Sequence, residues 1–216
     1  MNISDNTLSV LKNFSGINQN LAVKSGNKIR TISPQKTVMA VAQVEDKFDS
    51  PFAIYDLNQF LSAVSLFEKP NFVFEDSNVV VANGKSSIRY FYADESMVMS
   101  APERDIELPD TLVEFKLTTD VFKSTMQAAS VLQAPNWSVV GNGSIIEIVV
   151  GDVKNSTSNN YRVTVGETSE EFEVVFKVDN LKMMQRDYNV AVSSKGISHF
   201  TTEKGDLQYF VATETK

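Results

Sequence analysis

Between Phe52 and Lys69, Leu57, Phe60, Leu61, Val64 and Phe67 recur at three- and four-residue spacing. That period predicts a helix that buries one face and opens at Asp56, whose carboxylate can accept from the free N–H groups of the first turn. The same rhythm predicts a helix over residues 5–17, burying Leu8, Val10, Leu11, Phe14 and Ile17. Another spans 120–132, burying Val121, Phe122, Thr125, Met126, Ala129 and Leu132, and a shorter one covers 179–185. β-rich sequence fills the intervals, with turn signals at Ser25-Gly26-Asn27, Asn83-Gly84 and Gly141-Asn142-Gly143.

The order helix, strands, helix, strands therefore occurs twice. Between the copies lies "SAPERDIELPDT", residues 100–111, whose two prolines and five charges predict an extended, exposed connector. The pattern predicts an α+β chain with one domain over residues 1–104, the connector at 100–111 and a second domain over 112–216. A tandem repeat, two unrelated α+β domains or one mixed domain all satisfy it.

The polar helix faces carry an unusual composition. Residues 6–18, 57–67, 121–133 and 180–186 contain no Asp or Glu, although 27 of the 216 residues are acidic. Lys12, Lys123, Lys182 and Arg186 do occur there, beside neutral residues such as Asn58 and Ser62. Each predicted helix starts at an Asp (Asp5, Asp56, Asp120, Asp179), where a carboxylate complements the helix dipole. Small numbers are one explanation. The other is that all four faces look at a polyanion, against which a carboxylate costs Coulomb and desolvation energy while amides, hydroxyls and scattered lysines do not.

Composition narrows the classes. The net charge is −7, from 20 basic and 27 acidic residues, which argues against a nonspecific nucleic-acid coat. The second half is the more acidic, with 10 basic against 16 acidic residues over 105–216, compared with 10 against 11 over 1–104. There are no cysteines, so disulfides are excluded and a reducing interior is expected. Neither a secretory signal nor an apolar run long enough to span a membrane is present.

Catalytic signatures do not assemble. "ANGKSS", residues 82–87, lacks the first glycine of a phosphate loop, because Val79 stands in that place. His199 is the only histidine, so no histidine pair exists for a metal, and no acid/base pair stands out by spacing. Trp137 is expected to be partly buried in a loop, and "SEEFE", residues 169–173, to be a solvated strand edge. The chain is expected not to be an enzyme and to need no cofactor or metal.

"TLSVLKNFSGI", "LAVKSG", "FAIYDLNQFL", "DNLKMMQRDYNVAV" and the closing "YFVATE" resemble, in order, the sliding clamp of T-even-type bacteriophages, the DNA polymerase processivity factor. The resemblance runs over nearly the whole chain and is faintest from Ala134 to Phe172. It implies two similar clamp domains per chain and a ring-forming homotrimer, with helices lining a central hole and antiparallel sheets outside. It also implies a factor that encircles duplex DNA without sequence preference and tethers the replicative polymerase, in the cytoplasm of the infected bacterial host. A virion or scaffold protein built on the same α+β repeat is the alternative.

The resemblance carries over to particular residues. Lys12 and Lys182 would face DNA by motif, and Lys123, Arg186, Asn58 and Ser62 by position. Subunits would join through the strand holding Ile88, Tyr90 and Tyr92 and a neighbour's strand holding Tyr161, Arg162 and Val163. An apolar groove formed by Val38, Ala40, Ile106, Leu108, Tyr209 and Val211 would take the tail peptide of polymerase. An ATP-driven clamp loader and transcription factors are the remaining partners implied.

Overall fold

A computed structural model describes residues 1–214. The chain divides into two compact units, Met1–Asp105 and a second that begins at Ile106.

The first unit runs α1 (Asp5–Ser15), β1 (Leu21–Val23), β2 (Gly26–Ile32), β3 (Val38–Phe48), β4 (Phe52–Ile54), α2 (Leu57–Val64), β5 (Asn71–Phe74), β6 (Asn78–Asn83) and β7 (Ser86–Phe91). β2 and β3 form an antiparallel hairpin, β1 pairs with β4, and β5-β6-β7 is an antiparallel meander. β6 and β7 are joined by the two-residue loop Gly84-Lys85, one residue later than the Asn83-Gly84 turn expected. Gly84 has φ of 61°, the left-handed geometry such a turn requires.

Helix α1 opens differently from the expected Asp5 cap. Ser4 is the cap, its hydroxyl accepting from Thr7 N–H, while Asp5 lies in the first turn, where it still meets the helix dipole. Asp46 on β3 ties this end down, accepting from Ser4 N–H at 2.9 Å and from the Thr7 hydroxyl at 2.6 Å. Asp56 caps α2 through Gln59 N–H at 2.9 Å, as the sequence predicts. Leu57, Phe60 and Val64 are buried, so the three- and four-residue spacing does mark the core face.

The second unit runs β8 (Val113–Leu117), α3 (Thr119–Leu132), β9 (Asn136–Asn142), β10 (Ile145–Gly151), β11 (Tyr161–Glu167), β12 (Glu171–Lys177), β13 (Tyr188–Val192), β14 (Ile197–Thr201) and β15 (Leu207–Ala212). Its strands pair antiparallel in the orders β11-β10-β9-β12 and β15-β14-β13-β8. Thr118, not Asp120, caps α3 through Val121 N–H. Asp187 adds a second anchor, accepting from the N–H and hydroxyl of Thr119 at 2.6 and 2.7 Å.

An aromatic chain fills this unit's core. Phe122, Tyr188, Phe200, Phe176 and Trp137 meet edge to face in that order, with centroids 6.4, 6.3, 6.0 and 5.4 Å apart. Fully burying a side chain as large as Phe is worth about 1.5–3 kcal/mol, so this cluster is a main source of the unit's stability. Trp137 is therefore a fully buried strand residue, not the half-buried loop residue expected. The proline and asparagine before it suggest a loop locally, but contact with Phe176, far along the chain, decides its place.

The predicted helix at 179–185 does not form. A single 3-10 turn at Val178–Asn180 is followed by irregular chain to Asp187. Seven residues are too few to nucleate an isolated helix, and tertiary bonds compete for the backbone. Met184 N–H donates to Tyr209 Oη at 3.2 Å, and Tyr188 Oη donates to Met184 C=O at 2.6 Å. Leu181 and Met183 are buried at two-residue spacing, the period of extended chain. Among the described residues the repeat is thus imperfect, with two α-helices in the first unit and one in the second.

Candidate nucleic-acid interface and sheet edges

In the first unit, α1 and α2 leave a cleft of about 670 Å³ between their polar faces. Lys12, Asn58 and Ser62 line it together, with Ser15 and Ser65, above a floor of Leu8, Leu61 and Val64. Three of the expected DNA-facing residues are thereby brought to one surface, and all three are exposed. The acid in this cleft is Asp5, held to the first turn of α1. Ser62 Oγ donates to Asn58 C=O at 2.8 Å and Ser65 Oγ to Ser62 C=O at 2.7 Å, so both hydroxyls stay bound to the helix while exposing oxygen lone pairs.

In the second unit, Lys123 is exposed on α3, beside exposed Gln127 and Ser130, and no acid follows Asp120 on this helix. Lys182 and Arg186 are exposed, but they lie on the irregular segment after β12, which corrects their expected place on a helix. Their charges are borne by chain pinned at Met184 and Asp187 and do not follow a helical stripe.

Five of the six expected subunit-contact residues fall on strands that end their sheets, and the sixth, Tyr92, directly follows β7. β7 is terminal in β5-β6-β7 and β11 in β11-β10-β9-β12. The opposite borders are engaged: Phe72 N–H on β5 donates to Met1 C=O at 2.7 Å, and Val175 on β12 bridges Glu214. Ile88, Tyr90 and Tyr92 are half-buried, with the Tyr90 ring meeting Phe60 of α2 edge to face at 5.2 Å. Burial, reinforced by the Asp56 carboxylate, pushes the Tyr90 phenol up, and burial beside Glu75 pushes Tyr92 up to about 12. Tyr161 and Val163 are likewise half-buried, whereas Arg162 is exposed on the other face and binds Glu147 Oε2 at 3.3 Å.

The sequence reading missed the outward face of β7. Ser87, Arg89 and Phe91 are exposed there, and Phe91 keeps 64% of its surface accessible. The signal was present, since these residues alternate with Ile88, Tyr90 and Tyr92.

The expected peptide groove is largely corrected. Val38, Ala40, Tyr209 and Val211 are 0–2% exposed, so they belong to the packed interior and cannot present a surface. β3 is buried at five successive positions, Val38–Ala42, and Tyr209 sits against Tyr188 at 6.0 Å. Ile106 and Leu108, on the second unit's leading segment, are half-buried and alternate with exposed Asp105, Glu107 and Pro109. Just before them, Arg30 fixes the end of the first unit. Its guanidinium donates to the carbonyls of Pro102 and Arg104 and to Asp105 Oδ1 at 2.7 Å, and with Lys28 it holds the Asp105 carboxyl below its ordinary value.

Residues 4–100 match the family model for the DNA polymerase processivity factor, and residues 115–215 match that for the C-terminal part of the gp45 sliding clamp. The sliding clamp of Vibrio phage KVP40 is 32% identical over 99% of this chain and 99% of its own. The chain belongs to the sliding-clamp family. The clamp of Enterobacteria phage T4 is 30% identical, covering 99% of this chain and 97% of its own. Solved structures share the clamp fold at lower identity. The PCNA2-PCNA3 complex of Sulfolobus tokodaii superposes with a TM-score of 0.71 at 13% identity, covering 100% of this chain and 98% of that one. PCNA of A. fulgidus, with the C-terminal region of FEN-1 bound, gives 0.71 at 15% identity over 97% of this chain and 95% of that one. The chain is accordingly a DNA polymerase processivity factor of the clamp fold, mixed helix and antiparallel sheet with few helices. Family membership sets aside the virion or scaffold alternative.

Proposed function

We propose that three copies close into a ring around duplex DNA, with the polar faces of α1, α2 and α3 toward the duplex, and that this ring tethers the replicative polymerase. The observation that carries the reading is the confinement of carboxylates on these helices to the first turn, at Asp5 and Asp120, while Lys12, Lys123 and Ser62 occupy exposed positions beyond it and neutral Asn58 is exposed in the first turn of α2. Weak, water-mediated contact to phosphates suits a ring that must slide. Retention then comes from topology, since a closed ring leaves a duplex only at an end or by opening.

Ring closure needs head-to-tail contact between unlike surfaces. The terminal strands β7 and β11 supply them, each with unpaired main-chain groups and a half-buried apolar row. A partner's tail peptide docks beside Ile106 and Leu108, a reading supported by the clamp-fold relative that carries the C-terminal region of FEN-1. The ring performs no catalysis, an ATP-driven loader opens it, transcription factors share the peptide site, and it works in the cytoplasm of the infected host.

Sedimentation equilibrium at micromolar concentration tests the assembly. A mass three times the 24.0 kDa of one chain is expected, and a strict monomer would overturn the ring.

A further inference from the structure

We infer that the ring's subunit contact, on the reading above, is locked in one antiparallel register, with Tyr90 of one copy opposite Val163 of the next. The residues that fix it are Arg89 and Phe91 on β7 and Glu147, Arg162 and Thr164 on β10 and β11. The occupant of each strand edge is a second copy of this chain.

Two features narrow the register first. Strand pairing within both units is antiparallel throughout. Each edge also has two unlike faces. Ile88 and Tyr90 on β7, and Tyr92 directly after it, are half-buried, with Tyr90 against Phe60 of α2 and Tyr92 against Phe52 of β4, whereas Ser87, Arg89 and Phe91 between them are exposed. On β11, Tyr161, Val163 and Val165 are half-buried, and Arg162 and Thr164 are exposed. A slip by one residue would turn one apolar row into water, so only slips by two compete.

Charge and a bulge then separate the three candidates. With Tyr90 opposite Val163, Ile88 meets Val165 and Tyr92 meets Tyr161 on the half-buried face. On the exposed face Arg89 meets Thr164 and Phe91 meets Arg162. A slip by two in one direction places Arg89 opposite Arg162, and like charges directly opposite are destabilising. A slip in the other direction places Ile88 opposite exposed Glu167, beyond the irregularity between Ile146 and Glu147 where alternation on β11 breaks.

The favoured register also answers two unmatched features. Glu147 is opposite Thr164 across β10 and β11, so Arg89 beside Thr164 can reach the carboxylate that already binds Arg162. The exposed ring of Phe91 comes to lie beside the Arg162 guanidinium, whose side chain is 53% exposed, an arrangement that favours cation–π contact. An arginine and an aromatic ring that look misplaced on a single chain thus acquire partners on the next one. Because the same register must recur at every contact, these residues also set whether the ring can close.

The chain has no cysteine, so disulfide trapping reads the register without background. Full-length chains carry Tyr92→Cys with Tyr161→Cys, Tyr92→Cys with Val163→Cys, or Tyr92→Cys with Asn159→Cys, one pair for each register. Ile88→Cys with Val165→Cys is an independent second pair for the favoured one. Under mild oxidation the Tyr92/Tyr161 and Ile88/Val165 pairs should form inter-chain disulfides at least tenfold faster than the other two. Equal or faster linking of Tyr92/Val163 or Tyr92/Asn159 overturns the register. Sedimentation of the same proteins under reduction separates the failures. A threefold mass without the expected link rejects the register alone, and a single-chain mass rejects the ring with it.

Discussion

Tyr90 Oη donates to the main-chain carbonyl of Asp56 across 3.0 Å, bonding the terminal strand β7 to the residue that caps α2. Strand edge and helix start are therefore one mechanical piece within the first unit, since the same tyrosine packs its ring on Phe60. Tyr90→Phe removes a half-buried hydrogen bond and should cost about 1 kcal/mol of unfolding free energy. Tyr90→Ala should cost more and also weaken self-association. Urea titration of both variants checks this, and an unchanged Tyr90→Phe midpoint would count against the bond.

Asp46 should shape the acid limb of stability. Burial pushes its carboxyl up, but the Thr7 hydroxyl and the N–H and hydroxyl of Ser4 outweigh that and hold it below its ordinary value. A depressed folded pKa contributes stability above the unfolded value that is lost as pH falls through the folded one. Asp46→Asn should therefore be less stable than wild type near neutral pH, and the gap should narrow below about pH 4. Thermal unfolding across that range reads it, and a constant gap would refute the assignment.

Gly141 on β9 tests close packing in the second unit. A Cβ built there would lie 2.4 Å from Phe172 Cε1 and 2.7 Å from Glu170 C=O. The second neighbour is backbone and cannot turn aside, so Gly141→Ala should destabilise by about 1–3 kcal/mol. A neutral outcome in chemical denaturation would show that the loop joining β11 to β12, which carries Glu170, can shift.

Lys12→Glu with Lys182→Glu should leave the assembled mass unchanged while lowering DNA retention and processive synthesis. Removing a lysine from a phosphate should also flatten the salt dependence of DNA affinity, by about 0.9 in log–log slope for each one. Unchanged processivity would remove both residues from the DNA face. Ile106→Ser with Leu108→Ser should instead weaken binding of a polymerase tail peptide without affecting assembly, which calorimetry and sedimentation read separately.

What the sequence revealed depended on the range of the forces involved. The helix at Asp56 was legible because its cap, its apolar spacing and its core face all lie within a dozen residues. The α+β class and the alternation on β7 were legible for the same reason. The helix predicted at 179–185 failed because the partners of Met184 are Tyr188 and Tyr209, and the latter lies on another strand. Tyr209 and Val211 look like surface residues of a terminal strand, yet both are fully buried. Trp137 likewise takes its place from Phe176, not from its neighbours in sequence. Local patterns report caps and faces, whereas which face ends up covered is set by distant chain.

The central claim is topological, and a linear duplex with blockable ends tests it directly. The protein is incubated at high concentration with a duplex biotinylated at both ends, and the mixture is then diluted with or without streptavidin. A threaded ring should remain far longer on the blocked duplex, even at salt that abolishes ordinary phosphate contacts. Equal, salt-governed release from blocked and open duplexes would contradict encirclement.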